Sequence, residues 1–366
     1  MKILVAIAEP YLPETHGGGL LDIHELCREW AKDGHEVTVF AGRSESRIRR
    51  RIRRILRLMG WRQHPFLGVL DGYFVLRSGS HAYVDNLSDW VDAEKPDVVV
   101  LQGSRFAMLL DALSGHDGLV ALRLVTRESA AEIAGLSWGS RDFRERIRSG
   151  ETMVISNSQF LARETKALTG IDSTVIYPPI TVDDTGAVPS RTESTILMVN
   201  PIAIKGIDIT LEVAKIRPQY QFLLLESWHL DDRQRADLNE RIRSLPNVRF
   251  ERHSDEITRV YDRSSVLFVP SQWQEAFGRV VPEAGARGVP SVYSDRGGLP
   301  EAAAGSGVMV DPWAPPQVWA DALDGIIAEW LKHSRLATVS SGRPDIVPRV
   351  VATEHIELFE SARERH

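Results

Sequence analysis

The chain has 366 residues, which is long for a single hydrophobic core and suits two domains. Its 43% hydrophobic and 26% charged residues exclude disordered and fibrous classes, and a net charge of −6 argues against a general role in nucleic-acid binding. The single cysteine excludes an internal disulfide and a cysteine-cluster metal site, and no apolar run reaches the roughly 18 residues that a membrane-spanning helix needs. A cytoplasmic two-domain protein is therefore expected.

Short apolar runs alternate with helix-length gaps along the first half of the chain. Residues 2–8 form a continuous apolar run that leads into Glu9-Pro10 without a small-residue cleavage site, which favours a buried parallel strand over a signal peptide. A helical pattern follows and stops at Asp33-Gly34, where a glycine suits a helix C-terminus. Further strands are predicted at 36–42, 73–77, 97–102, 119–125, 152–156 and 173–177.

The alternation stops and then restarts in the second half. Residues 181–194 are polar and turn-rich, a composition typical of a linker, and a helix is expected from about Lys205. Strands are predicted at 195–200, 222–226, 248–250, 266–270, 290–294 and 307–311, and closing helices near 315–332 and 349–364. This order predicts an α/β fold of two Rossmann-like, doubly wound parallel-sheet domains facing a cleft. Such sheets bind ligands at the carboxyl ends of their strands.

Residues 43–62 depart from the charge balance of the rest of the chain. They contain nine arginines and one acid, a net charge of +8, while Ile48, Ile52 and Ile55 begin an apolar stripe at helical spacing. A basic amphipathic helix of this kind suits an anionic membrane surface or an anionic acceptor, and a solvated helix packed on its own domain is the alternative. The candidate contacts to an anion are Arg47, Arg50, Arg51, Arg54 and Arg57.

A glycine triplet follows the first predicted strand and opens the first predicted helix. In the His16–Gly19 segment, HGGG, the glycines let backbone N–H groups approach a phosphate, and the helix N-terminus adds positive potential. The spacing differs from G-x-G-x-x-G, and Gly42 and Arg43 stand where a dinucleotide site would have an acid. This pattern argues against a nicotinamide dehydrogenase and leaves a plain turn as the alternative.

The segment 270–301 holds two glutamates eight residues apart. Glu275 comes just after a predicted strand, Phe277 and Gly278 are expected to begin a helix, and Glu283 falls on its second turn. A carboxylate accepts hydrogen bonds from two hydroxyl groups at once, and a helix N-terminus offers free N–H groups to an anion. The arrangement fits a ligand that carries sugar, phosphate and ribose in that order. Solvent-facing glutamates are the alternative interpretation.

This stretch, EAFGRVVPEA, resembles the E-x7-E motif of the retaining glycosyltransferases of family 4, which have the GT-B fold. The resemblance covers most of the chain, and the matching segments are HGGG, 34–37, 154–158, 176–179, 199–201, 205–206, 269–271 and 297–301. It implies transfer of a hexose-type sugar from a nucleotide-diphosphate sugar to a saccharide or lipid-linked acceptor, in polysaccharide or glycolipid synthesis. It also implies retention of the anomeric configuration, with no metal and no cofactor. Family frequency favours UDP over GDP.

The resemblance implies a role for each matching residue. Glu275 would hold the hydroxyls of the donor sugar, Glu283 would hold the ribose, and Lys205 would neutralise the diphosphate and stabilise the leaving group. Backbone N–H groups of the glutamate segment and of the glycine triplet would complete the donor site. The further donor-binding candidates are Gly17, Gly18, Gly19, Ala276, Phe277, Gly278 and Asn200.

Two positions depart from the family pattern. Many members have Gly-Arg where this chain has Asn200 and a proline, and we expect Arg279 to replace that arginine on the diphosphate. A His-Asp pair is common after the fifth strand of the first domain, where this chain has Arg127 and Glu128. These two residues and His16 are the candidates for the acceptor or donor-sugar side.

The resemblance assigns residues 1–180 to an acceptor-binding domain, 181–345 to a donor-binding domain, and 346–366 to a helix that crosses back to the first domain. The arginine-rich segment adds peripheral attachment to the inner face of the membrane to the cytoplasmic expectation. Two other functions stay open: a different GT-B nucleotide-sugar enzyme such as a 2-epimerase, and a catalytically silent GT-B partner protein. The oligomeric state is also left open.

Overall fold

The computed structural model describes residues 1–44, 64–80, 82–113, 115–134, 151–181, 194–252 and 257–365, together with the backbone of 137–138 and 141–142. The chain divides into two compact units, Met1–Pro179 with Pro348–His366, and Ile180–Val347. Most of the predicted linker lies outside the described residues. So does the predicted basic helix, with its candidate anion contacts Arg47, Arg50, Arg51, Arg54 and Arg57.

The first unit is built on one large sheet and a short hairpin. Its strands are β1 (Lys2–Pro10), β2 (Glu36–Gly42), β3 (Phe66–Leu70), β4 (Tyr73–Ser78), β5 (Val98–Gln102), β6 (Leu119–Leu124), β7 (Ser137–Trp138), β8 (Arg141–Asp142), β9 (Thr152–Ser156) and β10 (Thr174–Val175). The large sheet has the order β10-β9-β6-β5-β1-β2-β4-β3. It is parallel except for β3, which pairs antiparallel with β4. β7 and β8 form the separate hairpin.

Helices of the described residues, numbered in chain order through both units, cover this sheet. They are α1 (Gly18–Lys32), α2 (Tyr83–Glu94), α3 (Phe106–Ala112), α4 (Arg127–Ile133), α5 (Gln159–Thr169) and, from the C-terminus, α13 (Pro348–Arg363). Helix α1 ends where the sequence predicts, because Gly34 takes a left-handed conformation with φ of +87° after the last turn.

The core of the first unit lies between the sheet and the pair α1 and α13. Trp30 of α1 is fully buried, its indole N–H donates to the carbonyl of Ala352 at 3.1 Å, and its ring packs against Phe359 with centroids 6.1 Å apart. β1 is buried on both faces, as expected for a central parallel strand with helices on either side. The last helix of the chain is therefore part of the first hydrophobic core.

The second unit is a six-stranded, all-parallel sheet of order β13-β12-β11-β14-β15-β16. Its strands are β11 (Thr195–Val199), β12 (Gln221–Leu225), β13 (Val248–Glu251), β14 (Val266–Val269), β15 (Ser291–Ser294) and β16 (Val308–Val310). Its helices are α6 (Ile207–Ile216), α7 (Asp232–Ile242), α8 (Ile257–Asp262), α9 (Val280–Ala286), α10 (Leu299–Ala303), α11 (Pro316–Ala328) and α12 (Trp330–Ser341). Short 3₁₀ turns occur at Ala203–Lys205 and Pro344–Ile346.

Several secondary-structure predictions differ from the structure, and three of them concern the strands and helices listed above. The strand Phe66–Leu70 is missing from the sequence prediction because most of its side chains are exposed and it gives no buried apolar run. The closing helix near 315–332 is two helices, which meet at Glu329, and the second runs on to Ser341. The helix expected from Lys205 begins at Ile207, after the 3₁₀ turn.

Candidate active site

The candidate site of the second unit lies at the carboxyl ends of four adjacent strands, in the order β12-β11-β14-β15. Parallel strands bring the loops that follow them to one edge of the sheet, where open α/β sheets bind their ligands. The loop after β11 carries Lys205, the loop after β12 carries Trp228, and the loop after β14 carries Glu275. Most residues that the sequence singles out in this unit are therefore gathered at this edge.

Asn200 joins the loops after β11 and β12. It has a left-handed backbone with φ of 60°, which asparagine tolerates better than most residues. Its Oδ1 atom accepts hydrogen bonds from the backbone N–H groups of Ser227 at 3.0 Å and Trp228 at 2.6 Å. Asn200 thus fixes the position of Trp228, and its own contact with the donor stays a prediction.

Gly206 sets the position of Lys205. Its φ is +86°, and a Cβ atom there would lie 2.0 Å from the carbonyl oxygen of Pro270 in the loop after β14. Only glycine allows so close an approach of the two loops. The backbone N–H groups of Gln272 and Trp273 also donate to the carbonyl of Ile204, which fastens the β11 loop to the β14 loop.

Lys205 and Glu275 are in direct contact. The Lys205 Nζ atom donates to Oε1 of Glu275 at 2.5 Å, and Ser271 Oγ donates to the same oxygen at 2.8 Å. The two side chains are 11% and 15% exposed. The ammonium also lies 4.7 Å from the ring centroid of Trp228, within cation–π distance. The cation predicted for the diphosphate and the carboxylate predicted for the sugar therefore share one hydrogen bond.

Arg279 and Glu283 form a second ion pair. The Nε atom of Arg279 donates to Oε1 of Glu283 at 2.9 Å, and the hydroxyl of Tyr261 donates to Oε2 at 3.1 Å. The side chains of the pair are only 10% and 18% exposed. Burial, reinforced by the Glu283 charge, raises the pKa of Tyr261 well above its ordinary value, so the hydroxyl keeps its proton.

The helix after Glu275 starts later than the sequence predicts. Helix α9 begins at Val280 and has seven residues, so Phe277 and Gly278 precede it and Glu283 lies in its first turn. The reason is Gly278, whose φ of +100° cannot belong to a right-handed helix. Ala276, Phe277 and Gly278 therefore form an irregular segment between the two glutamates.

Backbone contacts with the loop after β15 hold Glu275 in place. The N–H of Gly298 donates to the carbonyl of Glu275 at 2.8 Å. A Cβ atom on Gly297, which has φ of +62°, would lie 2.1 Å from that carbonyl. In the same pair of loops, the hydroxyl of Ser294 donates to the carbonyl of Ser271 at 2.6 Å. The glycine pair thus serves close packing against the backbone of Glu275.

In the first unit, the glycine triplet opens α1 as predicted. Gly17 is extended, and its carbonyl accepts from the N–H groups of Leu20 and Leu21. His16 precedes it in the same loop. The donor-binding role of the triplet stays a prediction.

Arg127 and Glu128 begin helix α4 of the first unit. Thr126 caps this helix by accepting from the N–H of Ser129. The Nε atom of Arg127 pairs with Oε2 of Glu164 at 2.6 Å. Arg127 therefore links α4 to α5, and a role for either residue on the acceptor or donor-sugar side stays a prediction.

The structure adds three residues to the site that the sequence does not single out as site residues: Ser271, Trp228 and Tyr261. Ser271 lies in a segment that resembles the family, whereas Trp228 and Tyr261 reach the site only through the order of the strands. No group of three or more histidine, cysteine, aspartate or glutamate side chains that could hold a metal ion occurs among the described residues. Within the same residues, no helix combines the length and apolarity needed to cross a bilayer.

Two protein families match consecutive parts of the chain. Residues 16–184 match the family described as Glycosyltransferase Family 4, and residues 193–329 match the family described as Glycosyl transferases group 1. These ranges include the glycine triplet and both ion pairs of the site.

Curated relatives match over shorter stretches. Spore coat protein SA of Bacillus subtilis is 34% identical over 87 residues, 23% of this chain and 23% of that protein. The D-inositol 3-phosphate glycosyltransferase of Corynebacterium diphtheriae is 43% identical over 78 residues, 21% of this chain and 18% of that protein. The matches thus span about a fifth of the length of these relatives.

Solved structures match over the whole length. A glycosyltransferase from Rickettsia africae has a TM-score of 0.75 at 13% identity, covering 100% of this chain and 99% of its own. Anabaena HepE in complex with UDP has a TM-score of 0.72 at 16% identity, covering 99% and 100%. The sucrose-phosphate synthase of Thermosynechococcus elongatus has 0.71 at 16% identity, covering 100% of each chain. The predicted GT-B fold is confirmed, and so is the predicted family resemblance: the chain matches the Glycosyltransferase Family 4 model in its first part and the Glycosyl transferases group 1 model in its second.

Proposed function

We propose that the protein transfers a hexose from a UDP-sugar to a saccharide or lipid-linked acceptor, with retention of the anomeric configuration and without a metal ion. One observation carries this proposal: Lys205, Glu275, Arg279 and Glu283 form two nearly buried ion pairs at the carboxyl edge of one parallel sheet. The site therefore offers cations for a diphosphate and carboxylates for hydroxyl groups at the same edge of one sheet.

The nucleotide assignment draws on the structural relatives. HepE is described in complex with UDP, with UDP and glucose, and with UDP-glucose. A UDP-sugar is therefore the first donor to test. In this chain, Glu283 takes the ribose hydroxyls and Lys205 takes the diphosphate, with Arg279 as a second cation.

The ion pair of Lys205 and Glu275 suits a mechanism in which donor binding exchanges partners. A diphosphate oxygen takes over the Lys205 ammonium, and Glu275, still held by Ser271, accepts hydrogen bonds from sugar hydroxyls. The ammonium then stabilises the charge that develops on the diphosphate as the bond between the anomeric carbon and the phosphate oxygen breaks. The acceptor hydroxyl attacks the anomeric carbon from the same face, and its proton passes to an oxygen of the departing diphosphate.

The partner exchange is tested with two variants. We expect Lys205→Met to weaken UDP binding at least tenfold, because a charged hydrogen bond to the diphosphate is lost. We expect Glu275→Gln to bind UDP as tightly as the wild type or several-fold more tightly, because Lys205 is released from its partner, and yet to lose turnover of UDP-glucose. Isothermal titration calorimetry and UDP release measure the two quantities.

Lys215→Met is the matched control, because Lys215 is 53% exposed and pairs with Glu212 on the surface of α6. It should leave both quantities unchanged. Weaker UDP binding by Glu275→Gln, or unchanged binding by Lys205→Met, contradicts the proposed exchange.

Two further measurements test the metal independence and the stereochemistry of the reaction. Transfer activity that persists in the presence of EDTA supports metal independence. The anomeric configuration of the product, determined by NMR, tests retention.

The two alternative functions give different outcomes. A 2-epimerase consumes the nucleotide sugar in the absence of any acceptor and yields its epimer. A silent partner protein binds the donor but neither transfers nor slowly hydrolyses the sugar across a broad acceptor panel. A thermal-shift panel of UDP, GDP and their sugars identifies the nucleotide, because a ligand that binds only the folded chain raises its melting temperature.

We also propose that the first unit attaches to an anionic membrane surface. The arginine-rich segment 43–62 supplies a net charge of +8 immediately before the hairpin of β3 and β4. On one face of this hairpin the apolar side chains of Leu67, Val69 and Phe74 are 57%, 69% and 46% exposed. Val69 and Phe74 are cross-strand partners, so the three form a continuous apolar patch at the sheet edge. Positive charge beside exposed apolar groups favours an anionic lipid interface.

Vesicle co-sedimentation tests the attachment. We expect binding to vesicles that contain phosphatidylglycerol, little binding to phosphatidylcholine alone, and loss of binding when Arg47, Arg50, Arg51, Arg54 and Arg57 are changed to glutamine. The double variant Leu67→Ser/Val69→Ser should bind several-fold more weakly, whereas Leu331→Ser, at a 62% exposed site of the second unit, should not. Equal binding by all variants, or a dimer formed through the patch, rejects the proposal.

A further inference from the structure

A series of hydrogen bonds between buried polar side chains connects the sheet of the first unit to the glycine triplet. Gln102 closes β5 and is the direct cross-strand neighbour of Arg123 on β6. The Nε2 atom of Gln102 donates to the carbonyl of Gly19 at 2.6 Å, and its Oε1 atom accepts from Nη1 of Arg123 at 2.6 Å. Gln102 is 2% exposed and Arg123 is fully buried. The sheet thus holds the first turn of α1 through a side chain that water does not reach.

The arginine determines the orientation of the glutamine amide. A guanidinium has hydrogen-bond donors only, so the atom of Gln102 that faces Arg123 must be the oxygen. The NH₂ group of Gln102 is then directed to Gly19, whose carbonyl can only accept. Arg123 therefore orients the amide of Gln102, and Gln102 in turn holds the carbonyl of Gly19.

A second contact ties the same helix to Arg123. The Nη2 atom of Arg123 lies 3.8 Å from Oδ2 of Asp22, which is 2% exposed on α1. A buried guanidinium is costly unless an anion and hydrogen bonds compensate for the lost water. Gly19 also packs tightly, since a Cβ atom there would lie 3.1 Å from a methyl group of Val125. The start of α1 is thus held at two points by one arginine on the sheet.

We infer that Gln102 and Arg123 are positioning residues for the transfer reaction, which fix the backbone of the glycine triplet. This inference rests on the proposed function and on the donor-binding role that the sequence resemblance predicts for the triplet. Neither residue needs to touch a substrate. A glycine-rich segment has little conformational preference of its own, so a loop whose N–H groups must be aimed at a ligand gains accuracy from an external tether.

The variant Gln102→Glu separates positioning from packing. The carboxylate keeps the length of the side chain and still accepts from Arg123, but it has no N–H group for Gly19. We expect a fall in the rate of UDP release from UDP-glucose of about tenfold to a hundredfold, the size that a small displacement in a reacting complex produces. UDP affinity should fall by less than the rate, because most of the residues proposed to bind the nucleotide belong to the second unit.

Hydrogen exchange gives a readout that does not depend on activity. The amides of residues 19–22 should exchange at least several-fold faster in Gln102→Glu than in the wild type. Gln159→Glu is the control, since it makes the same change of charge at an exposed position of α5. If Gln102→Glu does not fold, Gln102→Met, of similar length and uncharged, is measured in the same way.

Normal turnover by the Gln102 variant, or unchanged exchange at residues 19–22, overturns the inference. A fall in rate that only follows the fraction of unfolded protein also overturns it, because it points to a purely structural role. If the wild-type protein shows no turnover of any donor, the proposed function fails instead. The exchange experiment still decides then whether Gln102 tethers the triplet.

Discussion

At the scale of single residues, Arg279 is expected to replace the arginine that many members of the resembled family have where this chain has Asn200 and a proline. Its guanidinium is 10% exposed and bonded to Glu283, so it is already oriented at the carboxyl edge of the sheet. We predict that Arg279→Ala weakens UDP binding about tenfold and lowers turnover, because one charged hydrogen bond to the diphosphate is lost. Calorimetry and UDP release measure both effects.

Tyr261→Phe is the matched control for Arg279. It removes the other side-chain hydrogen bond to Glu283 and leaves Arg279 in place. If Arg279 contacts the diphosphate directly, Tyr261→Phe should change UDP affinity by less than about threefold. Equal losses in the two variants would mean that Arg279 acts only by orienting Glu283, and unchanged UDP affinity and turnover in Arg279→Ala would refute the replacement of the family arginine.

His355 makes the stability of the first unit depend on pH. It is fully buried against Trp30 and Phe359, and burial, with the charge of Arg123, lowers its pKa from 6.5 to about 3. Below pH 6.5 the unfolded chain gains a proton that the folded chain does not, so stability falls as the pH falls toward 3. Between pH 7.5 and 5.5 this residue should cost about 1.4 kcal/mol of unfolding free energy.

The variant His355→Phe isolates that contribution. The loss of stability between pH 7.5 and 5.5, measured by urea unfolding, should be about 1.4 kcal/mol smaller than in the wild type. Other histidines, such as His24, contribute equally to both proteins and cancel in the comparison. An imidazole signal of His355 that titrates above pH 5, or identical pH dependence in the two proteins, refutes this assignment.

At the scale of elements, the turn between β11 and α6 depends on Gly206. An alanine at this position would be destabilising for two reasons. It would have to adopt a left-handed backbone, and its Cβ atom would lie 2.0 Å from the carbonyl oxygen of Pro270. We predict that Gly206→Ala destabilises the second unit by about 3 kcal/mol or more and abolishes UDP binding, because Lys205 and the β14 loop must separate. Gly305→Ala shares the left-handed backbone, with φ of +80°, but has open space around it. It should cost only about 1 kcal/mol.

Urea unfolding and UDP titration of the two glycine variants give the comparison. Similar losses in both would show that backbone conformation alone, and not the contact with Pro270, makes Gly206 necessary.

The parallel strands could be predicted because strands buried on both faces are continuous apolar runs, as in Lys2–Pro10 and Val98–Gln102. The strand Phe66–Leu70 was not predicted, because an exposed edge strand does not require a continuous run of apolar residues. The start of α9 was misplaced because Gly278 has a left-handed backbone, with φ of +100°, and the sequence alone does not show which glycine adopts it. A Cβ atom at Gly278 would also lie 2.5 Å from Leu299, which is distant in sequence. The family resemblance singled out Glu275, Glu283 and Lys205 as candidate site residues. Their ion pairs could not be foreseen, since 70 residues separate Lys205 from Glu275 and only the sheet order brings them together.

At the scale of the whole molecule, the first unit draws its core from both ends of the chain. Phe359 of α13 is fully buried with Trp30 of α1. We predict that Phe359→Ala destabilises the first unit by about 3–5 kcal/mol, the usual effect of emptying a large aromatic site. Amide exchange should accelerate in β1 and α1 and stay unchanged in β11 and β12. Leu331→Ala, at an exposed site, should change stability by less than about 0.5 kcal/mol. Accelerated exchange in β11 as well would show that the two units unfold together.

The position of α13 bears on how the protein is made. The first unit needs Phe359, yet the 168 residues from 180 to 347 belong to the second unit and are translated earlier. At roughly 5–20 residues per second, the ribosome takes roughly 8–34 s to make them. During that interval the first unit has already been synthesised except for α13. Apolar strands such as β1 therefore lack one of the helices that cover them in the folded protein. The second unit, whose residues are contiguous, can complete its core first, so newly made chains should depend on chaperones mainly through their N-terminal half.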